Sequence, residues 1–300
     1  MDDEHAAAVA GALRARAAEP VFVDVAVLEA TAYSLSNEVL TLYRPTGDLR
    51  TSLRSPTRGW IRRLAPPHWR RSVTLGGKEA AVRGAWITLV CAVAGAVEVA
   101  WLTPLQRLFL SENKVLQAGA AYRLGIPTPA LAVVSNRALI PSELGDRLVV
   151  KPLGSATYTA LEGTEQVVWS QEVSRDSPVL DRLAGAPFVI QTRLEAERHL
   201  RVVTVGGQSW VCQLAADDLP LDWRRDERAH ESFIASSEPA VARDAVRLAS
   251  ALGLGYSSQD WIVANRVAYF VDINPAGQWL FLPNDVADSV TEAIASWLTK

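Results

Sequence analysis

The stretch from Asp260 to Pro275 constrains the fold most, because apolar runs on either side of Asn265-Arg266 read as two paired β-strands with acids at one end. Side chains alternate along a strand, so Asp272 and Asn274 share one face while Val271 and Ile273 fill the other. Oxygen donors gathered in this way suit magnesium, which prefers hard ligands. For Asp260 to join that face, its cross-strand partner must match Asp272 in parity. That predicts an odd hairpin loop such as Ala264-Asn265-Arg266, since a two-residue turn puts Asp260 on the other side. Two acids and an amide on strands are equally the make-up of exposed loop ends.

The chain is long enough, at 300 residues and 49% hydrophobic, for two or three units sharing a buried core. Residues 6–18 read as a helix and 21–27 as a buried strand, the opening of an α/β unit whose usual first strand is missing. Residues 43–71 form a long connection, followed by a buried helix over 78–94 and a strand over 97–102. A boundary falls near 104. A helix over 112–124 ends at Gly125, with Pro127 and Pro129 barring its continuation. Strands at 131–134, 148–151 and 166–169 with a helix over 177–183 make a small α+β segment, and a strand opens the last part at 188–191. Gly206-Gly207 joins a hairpin of 200–205 with 209–214, and helices over 240–252 and 286–298 flank the Asp260–Asp272 pair of strands. The expected division is 1–104, 105–187 and 188–300.

Lys151 interrupts the apolar run Leu148-Val149-Val150, and burying an ammonium there without an anion is costly. Ser155, in the Gly154-Ser155-Ala156-Thr157 loop that follows, lies either in a plain connection or in a lid whose amides reach phosphates. The order of Asn113-Lys114, Val149-Val150-Lys151-Pro152, Gln191-Thr192-Arg193-Leu194 and Asp272-Ile273-Asn274-Pro275 resembles the ATP-grasp superfamily over residues 100–300. Trp101-Leu102-Thr103-Pro104, Asp222-Trp223-Arg224 and Asn274-Pro275-Ala276-Gly277-Gln278-Trp279 resemble, more narrowly, the graspetide or microviridin-type ligases of ribosomal peptide maturation.

The resemblance implies an α/β chain with an ATP-grasp fold: an N-terminal α/β (pre-ATP-grasp) domain, then central and C-terminal α+β subdomains. It implies ATP and Mg2+ as cofactors. Lys114 and Lys151 would contact phosphates, while Gln191, Thr192 and Leu194 would hold adenine. Asp260, Asp272 and Asn274 would take the metal, and Arg201 and Arg224 would face the phosphoryl group in transfer. Positioning and charge neutralisation dominate phosphoryl transfer, so these residue types fit it independently. Two positions depart from the family pattern: Asp272 stands where Glu is common, and Gln191 likewise.

Eight arginines between Arg44 and Arg71 accompany a single acid, Asp48, in a chain of formal net charge -3. Such a patch gathers an acidic partner, here a precursor peptide with a leader and an acidic core, or it is a solvated loop. Trp60 and Trp69 within it raise nucleic-acid binding, which the balance of 30 basic and 33 acidic residues disfavours. Trp86, Trp101, Trp210 and Trp261 are read as core, and His5, His68, His199 and His230 as structural or exposed. Cys91 and Cys212 show no metal or disulfide spacing, and the N-terminus has no secretory pattern, so a cytoplasmic protein is expected. Residues 84–102 are the sole candidate for a membrane span, which Gly95 and Glu98 oppose. A homo-oligomer is the expected assembly. The reading with most support is a ligase that joins a peptide side-chain carboxylate, through an acyl phosphate, to a hydroxyl or amine. The alternatives are a ligase for free amino acids or a small metabolite, and a catalytically silent nucleotide- or leader-binding scaffold.

Overall fold

Asp3 starts the first helix, α1 (Glu4–Ala15), by accepting the Ala6 N–H at 3.0 Å, an N-cap that begins the helix earlier than its alanine run. The computed structural model describes residues 3–54, 57–66, 69, 76–154, 157–159, 164–185 and 187–300. Residues 21–27 do not form the expected strand. Asp24 instead accepts the Val27 N–H and caps a short helix, α2 (Val25–Ala30), so the valines serve a helix entry. The N-terminal strands are β1 (Ala32–Ser36), β2 (Val39–Tyr43) and β3 (Leu49–Ser52), an antiparallel meander in that order. Asn37 and Glu38 turn the first hairpin with φ of 49° and 59°. Much of the expected connection over 43–71 is therefore structured, and it also carries β4 (Arg58–Gly59).

Helix α3 (Lys78–Ala94) forms as expected, but only Val90, Val93 and Ala94 on it are buried, so it covers the N-terminal sheet rather than sitting inside a core. No helix among the described residues is long and apolar enough to cross a membrane. The strand expected at 97–102 contracts to β5 (Ala100–Trp101), which pairs parallel with β4. The helix expected over 112–124 is α5 (Lys114–Arg123), and a separate short helix, α4 (Leu105–Ser111), precedes it. Asn113 restarts the chain by accepting the N–H groups of Val115 and Leu116.

The middle of the chain holds β6 (Leu131–Val133), β7 (Arg147–Pro152), β8 (Thr157–Thr159), β9 (Glu165–Val167), β10 (Gln171–Ser174) and β11 (Phe188–Thr192). Four of them form an antiparallel sheet in the order β10-β7-β11-β6, and β8 pairs with β9. The helix expected at 177–183 is a 3-10 helix, Pro178–Gly185.

The largest sheet follows, from β12 (Arg198–Val205), β13 (Gln208–Ala215), β14 (Ile234–Ser236), β15 (Tyr256–Ala264) and β16 (Val267–Asn274), ordered β14-β13-β12-β15-β16. Three helices belong to this part: α6 (Glu227–Glu231), α7 (Pro239–Leu252) and α8 (Asn284–Leu298). One face of the sheet, with Leu200, Val202, Trp261 and Ile273, packs on Ala245 and Leu248 of α7 and Ala120 and Ala121 of α5. The other face buries Val203, Val205, Leu214 and Tyr256 against α1 and α8. Along that second face the side chains change from apolar to Arg201, Asp260 and Asp272, and there the cavity opens.

His5 ties α1 to the segment after β16. Its Nε2 accepts the backbone N–H of Trp279 at 3.1 Å and of Leu280 at 3.4 Å. Burial and the Arg62 charge lower the imidazole to about 4, against a smaller upward pull from Asp3. A histidine neutral in the folded state and protonated in the unfolded chain contributes stability above pH 6.5 that is lost as pH falls toward 4. Replacing His5 by glutamine, which keeps an acceptor but cannot titrate, is predicted to remove about 1.4 kcal/mol per pH unit from the acid slope of stability. Urea unfolding at pH 7, 6 and 5 measures the difference, and equal slopes for the two proteins contradict it.

Candidate active site

Asp260 and Asp272 do face the same cavity, but not by the expected route. The hairpin between β15 and β16 has a two-residue turn, with Ala264 opposite Val267 and Asn265 and Arg266 at φ of 49° and 63°. Continued in register, that turn would place the two acids on opposite faces. The ladder instead slips between Asp260 and Trp261, so that Trp261 pairs with Phe270 and Asp260 with Asp272, leaving Val271 as the extra residue of a β-bulge. The bulge restores the parity that an odd loop was expected to supply.

Register then sets a row of charges across three strands. Arg201 on β12 is the cross-strand partner of Asp260, which is the partner of Asp272. Arg201 donates to Asp260 at 2.8 Å and to the Gln278 carbonyl at 3.2 Å. At the other end Lys114, on the first turn of α5, lies 3.2 Å and 3.3 Å from the two Asp272 oxygens. Burial pushes the Asp260 carboxyl up, but Arg201 and Arg224 outweigh it and hold the group below its usual range. Arg224 is itself gripped by Asp222, at 2.7 Å and 2.6 Å, and this hydrogen bonding keeps it firmly cationic.

Arg201, Arg224, Asp260, Asp272 and Asn274 line one cavity of about 360 Å³, walled on one side by Trp223 and Phe281. Gly277 closes it from above. A Cβ there would come within 2.5 Å of the Ser258 Cβ, so only glycine lets the segment after Asn274 lie against the sheet. Lys114, Lys151 and Gln191 line a narrower cleft alongside, between β7, β11, α5 and β16. Burial lowers the Lys151 pKa, and the nearby Asp272 and Asp260 charges only partly offset it. The ammonium therefore sits where a further anion is favourable.

Thr192 and Leu194 do not join either lining. The Thr192 hydroxyl donates to the Leu144 carbonyl at 3.1 Å and its N–H to Ala130, whereas Leu194 makes no hydrogen bond among the described residues. Ser155, and with it the expected lid residue, lies outside the described residues, as does His68. His199 is buried on the face of β12 that carries Arg201, with Asp260 and Asp222 near enough to oppose the downward push of burial. His230 lines the cavity in edge contact with Trp223 and Phe281. The sequence reading gave no role to Asp222, although the Asp-Trp-Arg triplet that contains it was legible.

The donor set fits magnesium on its chemistry. Asp260, Asp272 and Asn274 offer hard oxygens on adjacent strands, and among the described residues the Asn274 Oδ1 accepts one hydrogen bond, from Ala276 N–H at 2.9 Å. No set of three or more His, Cys, Asp or Glu groups comes together among the described residues. Two carboxylates and an amide suit an ion that takes one or two carboxylates and draws its other oxygens from phosphates and water.

No protein-family model matches the sequence, and no curated protein matches it. Solved structures do resemble the fold. A RiPP-associated ATP-grasp ligase of Chryseobacterium gregarium, in complex with ADP and a leader and core peptide, superposes with a TM-score of 0.85 at 19% identity, covering 100% of this chain and 94% of that one. Macrocyclase MdnC of Microcystis aeruginosa MRC, bound with precursor peptide MdnA, gives 0.78 at 20% identity over 99% and 96%. ATP-grasp ligase PsnB, with a minimal precursor, Mg and ADP, gives 0.72 at 17% over 100% and 96%. The chain has the ATP-grasp fold along its whole length.

Exchange of Asp260 for asparagine leaves the buried Arg201 without its counter-charge. Stability at pH 7 is predicted to fall by roughly 2–3 kcal/mol, the relief of repulsion at Asp272 offsetting part of the loss. Because the folded-state carboxyl titrates below its usual 3.8, the contribution is present above that pH and disappears as pH drops through the lowered value. Denaturant unfolding of both proteins checks this, and an unchanged midpoint at pH 7 contradicts it.

Proposed function

We propose that this protein is an ATP-dependent ligase that phosphorylates a side-chain carboxylate of a ribosomally made peptide and joins it to a hydroxyl or amine. The observation that carries the reading is the bulge-made pairing of Asp260 with Asp272 beside a cleft that holds two lysines. Proteins of the same fold, named above, are bound to ADP and to precursor or leader and core peptides. In the proposed division, residues 105–187 and 188–300 hold the nucleotide between them and 1–104 serves the substrate side.

Lys114 and Lys151 take the phosphates, with Lys114 leaving Asp272 as a phosphate oxygen replaces the carboxylate. Gln191 faces the base from β11. Asp260, Asp272 and Asn274 would hold Mg2+, which when bound draws charge from the β- and γ-phosphate oxygens. Arg201 and Arg224 reach the same cavity, and their guanidinium groups stabilise charge as the γ-phosphoryl group moves. A carboxylate oxygen attacks the γ-phosphorus, the bond to the β-phosphate oxygen breaks, and ADP departs. The hydroxyl or amine then attacks the acyl carbon, loses its proton, and expels phosphate. Trp223 and Phe281 give this cavity an apolar wall.

Incubation with ATP, magnesium and an acidic peptide containing Ser, Thr and Lys is predicted to give ADP, phosphate and a product lighter by one water per bond. Substitution Asp272→Asn should lower turnover by about a thousandfold, and Lys151→Ala should weaken nucleotide binding by about tenfold or more. Wild-type turnover in Asp272→Asn sinks the metal assignment. Tight peptide binding with unchanged peptide mass identifies a scaffold, and condensation of free amino acids alone identifies a small-molecule ligase.

A further inference from the structure

The fold separates the arginines of the 44–71 patch into different environments. Arg44 and Arg50 are exposed, Arg54 pairs with Glu38 at 2.6 Å, and Arg58 lies over the Trp297 ring at 4.8 Å. Arg70 and Arg71 lie outside the described residues. Among the described members, Arg62 and Arg63 line the cavity that holds Asp260, Asp272, Arg201 and Arg224.

Arg62 is only 9% exposed. Its Nε lies 3.3 Å from Asp3 Oδ1, and its Nη1 donates to the carbonyls of Ala276 and Gly277. Its Nη2 is buried with no hydrogen-bond partner among the described residues. Arg63 places its Nε 2.9 Å from the other Asp3 oxygen and keeps a side chain 35% exposed. One carboxylate thus faces two guanidinium groups, and a guanidinium arm is left unmatched inside the protein. A buried guanidinium arm without an acceptor costs free energy, and a planar anion that accepts from it removes the cost.

The two lysines line the cleft beside Gln191, whereas Arg62 and Arg63 line the larger cavity, where Arg62 also holds the Ala276 and Gly277 carbonyls. Resting on the ligase reading above, the geometry points to Arg62 and Arg63 as a carboxylate-recognition pair that holds an aspartate or glutamate side chain of the acceptor peptide. Asp3 and the start of α1 orient the pair, so the N-terminal helix contributes to substrate choice through the same contacts that anchor it. Arg62 is the specific element: one guanidinium holds Asp3 through Nε and the 276–277 carbonyls through Nη1 and still has the N–H groups of Nη2 to donate, a division a lysine cannot reproduce.

The test compares acetyl-Glu-Glu-Glu-amide with acetyl-Gln-Gln-Gln-amide, titrated calorimetrically into wild type, Arg63→Gln and Arg62→Lys, with and without Mg–ADP. Wild type is expected to favour the glutamate peptide by about tenfold or more, and both variants to lose most of that preference. Arg63→Gln keeps every Arg62 contact to residues 276 and 277, so it stays informative if Arg62→Lys is poorly folded. An unchanged preference in Arg63→Gln, or no preference in wild type, overturns the assignment. Failure of wild type to bind Mg–ADP sinks the ligase reading alone, because peptide preference is read without nucleotide as well.

Discussion

Two carboxylates on neighbouring strands repel one another, and the way the chain holds Asp260 beside Asp272 governs the rest of the site. The bulge at Val271 brings them onto one face, and Arg201 and Lys114 then cap the row at either end. Each cation comes from a different part of the molecule, β12 for Arg201 and the start of α5 for Lys114. Closing the charge row therefore also fixes α5 against β16. Gln117, one turn further along α5, reinforces this contact by donating to the Ile273 carbonyl at 3.0 Å and accepting the Ile273 N–H at 3.2 Å.

The bulge also explains how one strand serves two masters. In a regular strand Phe270 and Asp272 would share a face, yet Phe270 and Ile273 both pack into the core with α7. The inserted Val271 makes that possible, since it lets the apolar pair and the polar pair Asp272 and Asn274 each keep a side of the sheet. Trp261 and Phe270, opposite one another with ring centres 5.6 Å apart, are the last regular pair before the slip.

What the sequence made legible and what it hid differ in kind. Alternation and a resemblance in motif order located β15, β16 and the acids at their ends, because such signals lie in consecutive residues. The bulge left no separate trace, since a two-residue turn of Asn265-Arg266 and a three-residue one read almost alike. Val21, Val23 and Val25 suggested a strand by hydrophobicity, but Asp24 is a cap and its hydrogen bond to Val27 decides the local conformation. The inward turn of Arg62 was hidden for a third reason. Its partners are Asp3 and Ala276, far away in sequence, so only the packed chain separates it from its exposed neighbours.

Asp272 is one methylene shorter than the glutamate common at this place in the resembled family, and its surroundings bear on what that shortening does. A shorter arm keeps the carboxylate close to the strand, where the bulge has already turned it toward Asp260 and where Lys114 reaches it directly from α5. The Lys114–Asp272 ion pair is only partly buried, with side chains 26% and 28% exposed, so separating it is cheaper than separating a fully desolvated pair. In the proposed reaction an incoming phosphate would supply Lys114 with a new anion and a divalent cation would supply Asp272 with a new counter-charge. On that reading the pair holds both groups in place beforehand and would be exchanged without leaving either charge unmatched.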